Sequence, residues 1–293
     1  MISPGVLTSA QGGPCRGWGI YGVPPGGAMD FETLARGNAV VGNPPEAPAL
    51  EMTLVGPELE VLSEATVVLS GGRTEASING KPFVSGSVLS VAPGDILRAG
   101  PIRGAARAYV CVSGGLAQTD RRELSRRLVP GDVVFLATRP RSSHGALAFS
   151  GGPTAGPDET NGETLIRVLP GPQQDRFEPE GLSTFLTSAY RISASSDRRG
   201  IRLEGPAIAN RVSPEIPPEG TALGSIQIPG DGQPIILGPD RPVTGGYAKI
   251  ATILEADFSR VARAMPGTLL RFRQVSFVAA RPDPGRGARS LPK

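Results

Sequence analysis

Apolar residues fall in short runs along the chain, at 59–62, 66–69, 88–91, 107–112, 133–136, 166–169, 226–228, 235–237 and 269–272, with Gly, Pro, Asn or Asp between them. Runs of this length predict strands, and the residues between them predict tight turns. Asn79-Gly80 in "SINGKPF" predicts a hairpin, because both residues tolerate positive φ. "APGD" (92–95), "VPGD" (129–132) and "MPGT" (265–268) each precede an apolar run. In each, proline presets the turn and glycine supplies the positive φ that follows. Helical spacing shows in three places. Asp30 is placed to cap "FETLARGNAVV", with Leu34, Ala35, Asn38 and Val41 on one face and Gly42 ending it. "PEGLSTFLTSA" puts Leu182, Phe185 and Leu186 together, with Asp175 available as a cap. Asp257 is placed to cap "FSRVARAM", with Phe258, Val261, Ala262 and Met265 inward and Pro266 beyond its end. Many strands and a few short helices predict a mostly-β protein.

The two halves echo each other. "MTLVGPELEV" and "IRLEGPAIAN" share Leu-x-Gly-Pro, and "GSVLSVAPGDIL" is followed in the later half by its counterpart "GSIQIPGDGQPIIL". The preserved order suggests a duplicated barrel-like unit. The polar stretch "GGPTAGPDETNG" (151–162) divides them, giving expected units at 1–150 and 163–280 and a flexible tail at 281–293. The length of 293 residues accommodates two such units, and 39% apolar residues suffice for a core. The 40 glycines and 30 prolines, without a collagen-like period, exclude a helical bundle.

The net charge of +3 is modest, and no basic run is interleaved with aromatics, which argues against nucleic acid as a partner. Two cysteines, Cys15 and Cys111, and one histidine, His144, provide no metal-ligand cluster. His144 lies in a polar connection and the cysteines read as small apolar residues in a reducing compartment, so Ser-His-Asp and Cys-His chemistry are set aside. The N-terminal residues lack a basic region followed by an apolar one. No window approaches about 18 uninterrupted apolar residues, so the expectation is a cytoplasmic protein that does not enter a membrane.

Chemistry concentrates in "IPGDGQPIILGPDRPVTGGYAKIATI", Ile228 to Ile253. A strand arrives, a glycine-rich polar loop follows, and a strand leaves. Arg241 can grip a carboxylate or phosphate with two bonds, and Lys249 is a compact cation suited to negative charge developing on oxygen. Asp240 can orient Arg241, Thr244 and Tyr247 offer hydroxyls, and Gly245-Gly246 permits close approach of a ligand. The competing account is a hairpin whose charges are solvated, with Asp240 and Arg241 as a surface pair. Weaker candidates are Gln11, Arg16 and Asp30 around "GVPPGGAMD", the arginines of "SSDRRGIRLEGP", and Gln173, Gln174 and Asp175 of "LPGPQQDRF". No G-x-x-x-x-G-K-[ST] motif is present, so a nucleotide would not be held by a P-loop.

"GVPPGGAMD", "ARGNAVVGNPPEAPALEMTLVGPEL", "LPGPQQDRF", "SDRRGIRLEGP" and "SIQIPGDGQPIILGPDRPVTGGYAKIATI" together resemble the family of the 5-oxoprolinase C subunit. This family includes the second subunit of allophanate-hydrolase-type pairs, Kip-type kinase-inhibitor antagonists and the C-terminal part of the urea carboxylase carboxyltransferase domain. The blocks keep their order over most of the chain. The resemblance implies two tandem cyclophilin-like β-barrel units, a direct partner in the 5-oxoprolinase B subunit and a further protein, its A subunit. Together these would couple ATP hydrolysis to opening the lactam of 5-oxo-L-proline to L-glutamate. It further implies a site of Lys249, Arg241 and Asp240 with Thr244, Gly245, Gly246, Tyr247, Gln227, Asp231 and Gln233, joined from the other half by Gln11, Arg16, Asp30 and Asn43. ATP would be bound by the complex.

The chain departs from the family pattern where "QGGPCRGWG" lacks an Asp, where "DRPVTGGYAK" replaces Asp-Arg-Gln-Thr-Thr-Gly-Gly-Tyr-Pro-Lys, and in a shortened segment after "YVCVSGGL". Two further functions fit the resemblance. One is the carboxyltransferase component of a biotin-dependent urea or amide carboxylase, with biotin supplied by another protein. The other is a non-enzymatic regulator that binds a kinase-inhibitor-like homologue of the B subunit.

Overall fold

A computed structural model describes residues 1–117, 126–137, 159–160 and 162–276. His144, the tail from 281 and most of the dividing stretch lie outside the described residues. The chain is mostly β, with three α-helices among the described residues.

The first sheet contains β1 (Leu7–Gln11), β2 (Ala49–Thr53), β3 (Glu58–Glu60), β4 (Ala65–Ile78), β5 (Lys81–Phe83), β6 (Val88–Val91) and β7 (Ile96–Val112). Its pairing order is β1-β2-β7-β4-β5, with β3 on β7 and β6 on β4. Long β4 and β7 form its spine and bend at two register shifts, one at Gly71/Arg73. Ile78 pairs with Lys81 across Asn79 (φ 50°) and Gly80 (φ 77°), the expected two-residue hairpin. Helix α1 (Phe31–Val40) covers this sheet. Asp30 caps it, Oδ1 accepting from Thr33 N at 3.2 Å.

The second sheet contains β8 (Glu159–Thr160), β9 (Glu163–Pro170), β10 (Ala189–Ile192), β11 (Gly200–Glu204), β13 (Ser225–Gln227), β14 (Ile235–Leu237), β16 (Lys249–Ile253) and β17 (Leu269–Gln274). Pairing runs β16-β13-β14-β11-β10-β17-β9, and β9 pairs back onto β16, closing a seven-stranded barrel. A core of Ile166, Tyr190, Leu203, Ile226, Ile236, Ile250 and Phe272 fills it. Helix α2 (Pro179–Thr187) packs Phe185 on Phe272, ring centroids 4.6 Å apart. Outside the barrel, β12 (Glu215–Gly220) and β15 (Thr244–Tyr247) pair with each other as a two-stranded ribbon.

Several expectations are corrected. Helix α3 (Glu255–Arg263) starts before Asp257, whose carboxylate accepts from Arg167 N, Nε and Nη2 at 2.8, 2.9 and 2.6 Å. A two-pronged guanidinium from β9 outcompetes capping. Asp175 sits in a 3-10 turn (Gln174–Arg176), and α2 starts at Pro179 with no side-chain cap. Residues 133–136 form no strand beyond a bridge from Leu116 to Leu136. The sequence echo does not extend to pairing: β6 and β7 flank β4 on opposite sides, whereas β13 and β14 are direct neighbours.

The two sheets are joined through α1 and α3. Arg107 of β7 donates to Ala262 O of α3 at 2.7 Å, and Met29, just before α1, belongs to the second core. An apolar cavity of about 670 Å³ opens in the first unit beside Leu50, Leu59, Val67, Leu97 and Val110. None of the candidate site residues lines it. No described helix is long and apolar enough to cross a membrane.

Candidate functional site

Lys249 opens β16, where the ladder to β13 slips. Ile226 pairs with Ala251, but Gln227 pairs with Lys249, so the irregularity brings the lysine beside Gln227. The Lys249 side chain is 4% exposed, and its Nζ lies 2.6 Å from Glu219 Oε1 of β12. Among the described residues, Nζ has no partner besides this carboxylate. An ammonium has three N–H donors, and a single carboxylate oxygen does not engage all of them.

The neighbours are polar. Gln173 reaches in from the turn after β9. Its Oε1 accepts from Lys249 N at 3.2 Å and its Nε2 donates to Glu219 Oε1 at 2.7 Å. Lys249 and the Gln173 amide hold the Glu219 carboxyl below its ordinary pKa. Gln227 is buried, and its Nε2 donates to Tyr247 O at 3.4 Å. A Cβ on Gly245 would sit 2.6 Å from that amide nitrogen, so glycine there lets the ribbon lie on Gln227. Gly171 is required more strictly, since a Cβ there would meet Lys249 O at 2.1 Å.

The structure therefore brings together Lys249, Gln227, Gly245, Gly246 and Tyr247 of the expected set, with Thr244 exposed on the same ribbon strand. Arg241 is close in sequence but folds back. Its Nε and Nη1 make long bonds, 3.4 and 3.3 Å, to Thr221 O and Gly238 O. Burial lowers its pKa from the ordinary arginine value.

The remaining expected residues serve other contacts. Asp240 accepts from Arg198 Nε and Nη2 at 2.8 and 3.1 Å. The same Arg198 donates to Glu51 Oε1 at 2.5 Å and to Gly27 O at 2.5 Å, tying the two halves together. Burial pushes the Glu51 carboxyl up, but Arg198 and Arg107 outweigh it and the net shift is downward. Tyr109 donates to Glu51 Oε2 at 2.8 Å and accepts from Asp30 N at 2.9 Å. Asp30 is buried at this junction, 3.5 Å from Arg263, and burial raises its pKa despite the Thr33 and Arg263 contacts. Gln11 is buried in β1. Its Nε2 donates to Ser9 Oγ at 3.0 Å and its Oε1 has no partner among the described residues. Asn43 braces a loop, donating to Val112 O and accepting from Gly114 N, both at 2.7 Å. Gln233 is bonded at both ends to Gly205, and Asp231 accepts from Gln233 N. Arg16 is exposed. Asp30, Asp240 and the Glu51–Arg198 pair thus form a clamp between the halves, separate in its bonding from the Lys249 pocket.

Glu219 escapes a reading of the sequence, because "EIPPEG" has no chemical signature and becomes relevant only through the ribbon. Gln173 is visible as a polar residue of "LPGPQQDRF", but nothing in that motif predicts its reach to Lys249.

A family model described as "Carboxyltransferase domain, subdomain A and B" matches residues 21–274. The chain belongs to this carboxyltransferase-domain family. It is 30% identical to the C subunit of the 5-oxoprolinase of Escherichia coli (strain K12), with 96% of this chain and 92% of that protein covered. It is 31% identical to the urea amidolyase of Lachancea kluyveri over 96% of this chain, but spans only 17% of that much longer protein. Among solved structures, the Kluyveromyces lactis urea amidolyase superposes with a TM-score of 0.83 at 30% identity, covering 95% of this chain and 19% of the other.

Proposed function

We propose that this chain is the C subunit of an ATP-dependent 5-oxoprolinase, opening the lactam of 5-oxo-L-proline to L-glutamate with the A and B subunits. The observation that carries this reading is the Lys249 cluster: a buried ammonium whose one partner among the described residues is the half-exposed Glu219 carboxylate, flanked by two amides and roofed by a glycine-bearing ribbon. An unstrained amide is a poor electrophile. Phosphoryl transfer from ATP to its oxygen releases ADP and activates the carbon, and water adds there. The ring C–N bond then breaks with nitrogen leaving as the amine, and a second water releases phosphate from the resulting acyl phosphate. Lys249 would stabilise the negative charge on the amide oxygen as it is phosphorylated. Gln227 and Gln173 would orient the lactam, and Arg241, whose present bonds are long, would swing to the substrate carboxylate. The near-complete reciprocal coverage with a stand-alone C subunit supports this reading. ATP is a co-substrate bound by the assembled complex. The test is glutamate release from 5-oxo-L-proline by the chain with the A and B subunits, with and without ATP. Release that needs all three proteins and ATP supports the reading; absence of release from an intact complex overturns it.

A second reading, the carboxyltransferase component of a biotin-dependent urea or amide carboxylase, is favoured by the family description and by the likeness to urea amidolyases. Biotin would arrive on another protein. In that case the chain with its partner would consume carboxybiotin in the presence of urea or another small amide.

A further inference from the structure

The Lys249 ammonium and the Glu219 carboxylate are unequal partners. Lys249 is fixed in the barrel wall, 4% exposed, while the Glu219 side chain is 44% exposed on the ribbon. The ribbon pairs irregularly. Its register breaks between Glu215 and Glu219, Pro217 and Pro218 remove backbone donors inside that break, and β15 carries Gly245-Gly246. Glu219 Oε1 also accepts from Gln173 Nε2 at 2.7 Å. A carboxylate oxygen on a half-exposed side chain thus lies 2.6 Å from a buried cation.

We propose that Glu219 is an internal stand-in for a ligand's anionic oxygen: the Lys249 pocket binds a carboxylate or similar oxyanion by displacing Glu219. This deepens the proposed function and rests on the same pocket, though it does not need the ligand to be a lactam. Removing a buried cation's counter-ion is costly unless another anion replaces it, so the ribbon lifts when an anion enters and closes when it leaves. A tethered carboxylate competes as a ligand at high effective concentration. If the pair is closed about nine-tenths of the time, apparent affinity for an external anion falls roughly tenfold. Gln173 bonds to both the Lys249 backbone and Glu219, so it can pass to the incoming ligand as Glu219 leaves.

The chain has lysines only at 81, 249 and 293, so lysine labelled with carbon-13 at Cε yields few signals, and Lys249→Arg identifies the relevant one. The full-length chain and its Glu219→Gln variant are titrated at constant ionic strength with acetate, with neutral acetamide and with 5-oxo-L-proline. Glu219 is half exposed, so the variant is expected to fold. The expected result is a saturable shift of the Lys249 signal with acetate but not acetamide, and a dissociation constant roughly tenfold lower in Glu219→Gln. Equal or weaker acetate binding in the variant, or no saturable shift in either protein, overturns the proposal. Tighter acetate binding by the variant, with no glutamate released from 5-oxo-L-proline by the intact complex of the native chain with the A and B subunits, leaves the stand-in intact and removes the lactam reading. Equal acetate binding by both proteins, with ATP-dependent glutamate release by the assembled complex, removes the stand-in and leaves the lactam reading.

Discussion

Two lysine- and arginine-centred arrangements set the residue-scale behaviour, and they predict opposite phenotypes. Lys249→Ala removes a cation that meets one half-exposed carboxylate, so its effect on folding should be small. Its effect on the reconstituted reaction should be large, about 100-fold or more in kcat, the scale of losing one preorganised oxyanion-stabilising group. Assaying turnover beside the melting temperature separates the two. Glu51→Ala should do the reverse. It leaves Arg198 and Arg107 buried without their shared carboxylate and strips Met29 N and Tyr109 Oη of an acceptor. Breaking such a pair from one side costs about 3–5 kcal/mol, which denaturant unfolding would register. The sequence exposed Lys249 because lysine is scarce here and stands beside Gly-Gly and Asp-Arg. It could not expose Glu51 or Glu219, whose partners lie far along the chain and are set by tertiary structure.

At the scale of elements, turn chemistry was readable and helix starts were not. Asn79-Gly80 and the three Pro-Gly turns behave as their backbone preferences require, with Gly94, Gly131 and Gly267 at φ 89–92°. These are local constraints, written in adjacent residues. Helix α3 begins ahead of Asp257 because Arg167, 90 residues away, claims that carboxylate. Residues 133–136 have the right composition for a strand but pair only at Leu136. A turn glycine also shapes the site. Gly171 N donates to Ile250 O at 2.9 Å, and a methyl group there would collide with Lys249 O. Gly171→Ala should therefore displace the turn that carries Gln173. Its expected signature is a several-fold fall in activity together with destabilisation of about 1–3 kcal/mol, the usual cost of overpacking. Unchanged stability and turnover would show that the turn is not held as described.

For the whole molecule, the sheets are joined by charge as well as by apolar packing, so stability should depend on pH with a definite sign. Glu51 and Asp257 have folded pKa values below their ordinary ones. Their stabilising contribution is fully present above about pH 4.5 and is lost as pH falls through the lower, folded values. Asp30 is shifted upward, so its ionisation opposes folding as pH rises past its folded value. The melting temperature should fall steeply below about pH 4.5, and Glu51→Gln should flatten that fall. An unchanged acid slope in the variant would contradict the account of the clamp. The mostly-β class was legible because run length and turn residues are properties of short windows. Closure of the second barrel through β9 and β16 was not, because it depends on pairing between strands about 80 residues apart.

The most direct measurement is ATP-dependent glutamate formation from 5-oxo-L-proline by the complex assembled from this chain and the A and B subunits, comparing the native chain with Lys249→Ala in equally assembled complexes. Turnover is expected with the native chain, and a loss of about 100-fold or more with the variant. Equal turnover by the two complexes would contradict the assignment of the Lys249 pocket.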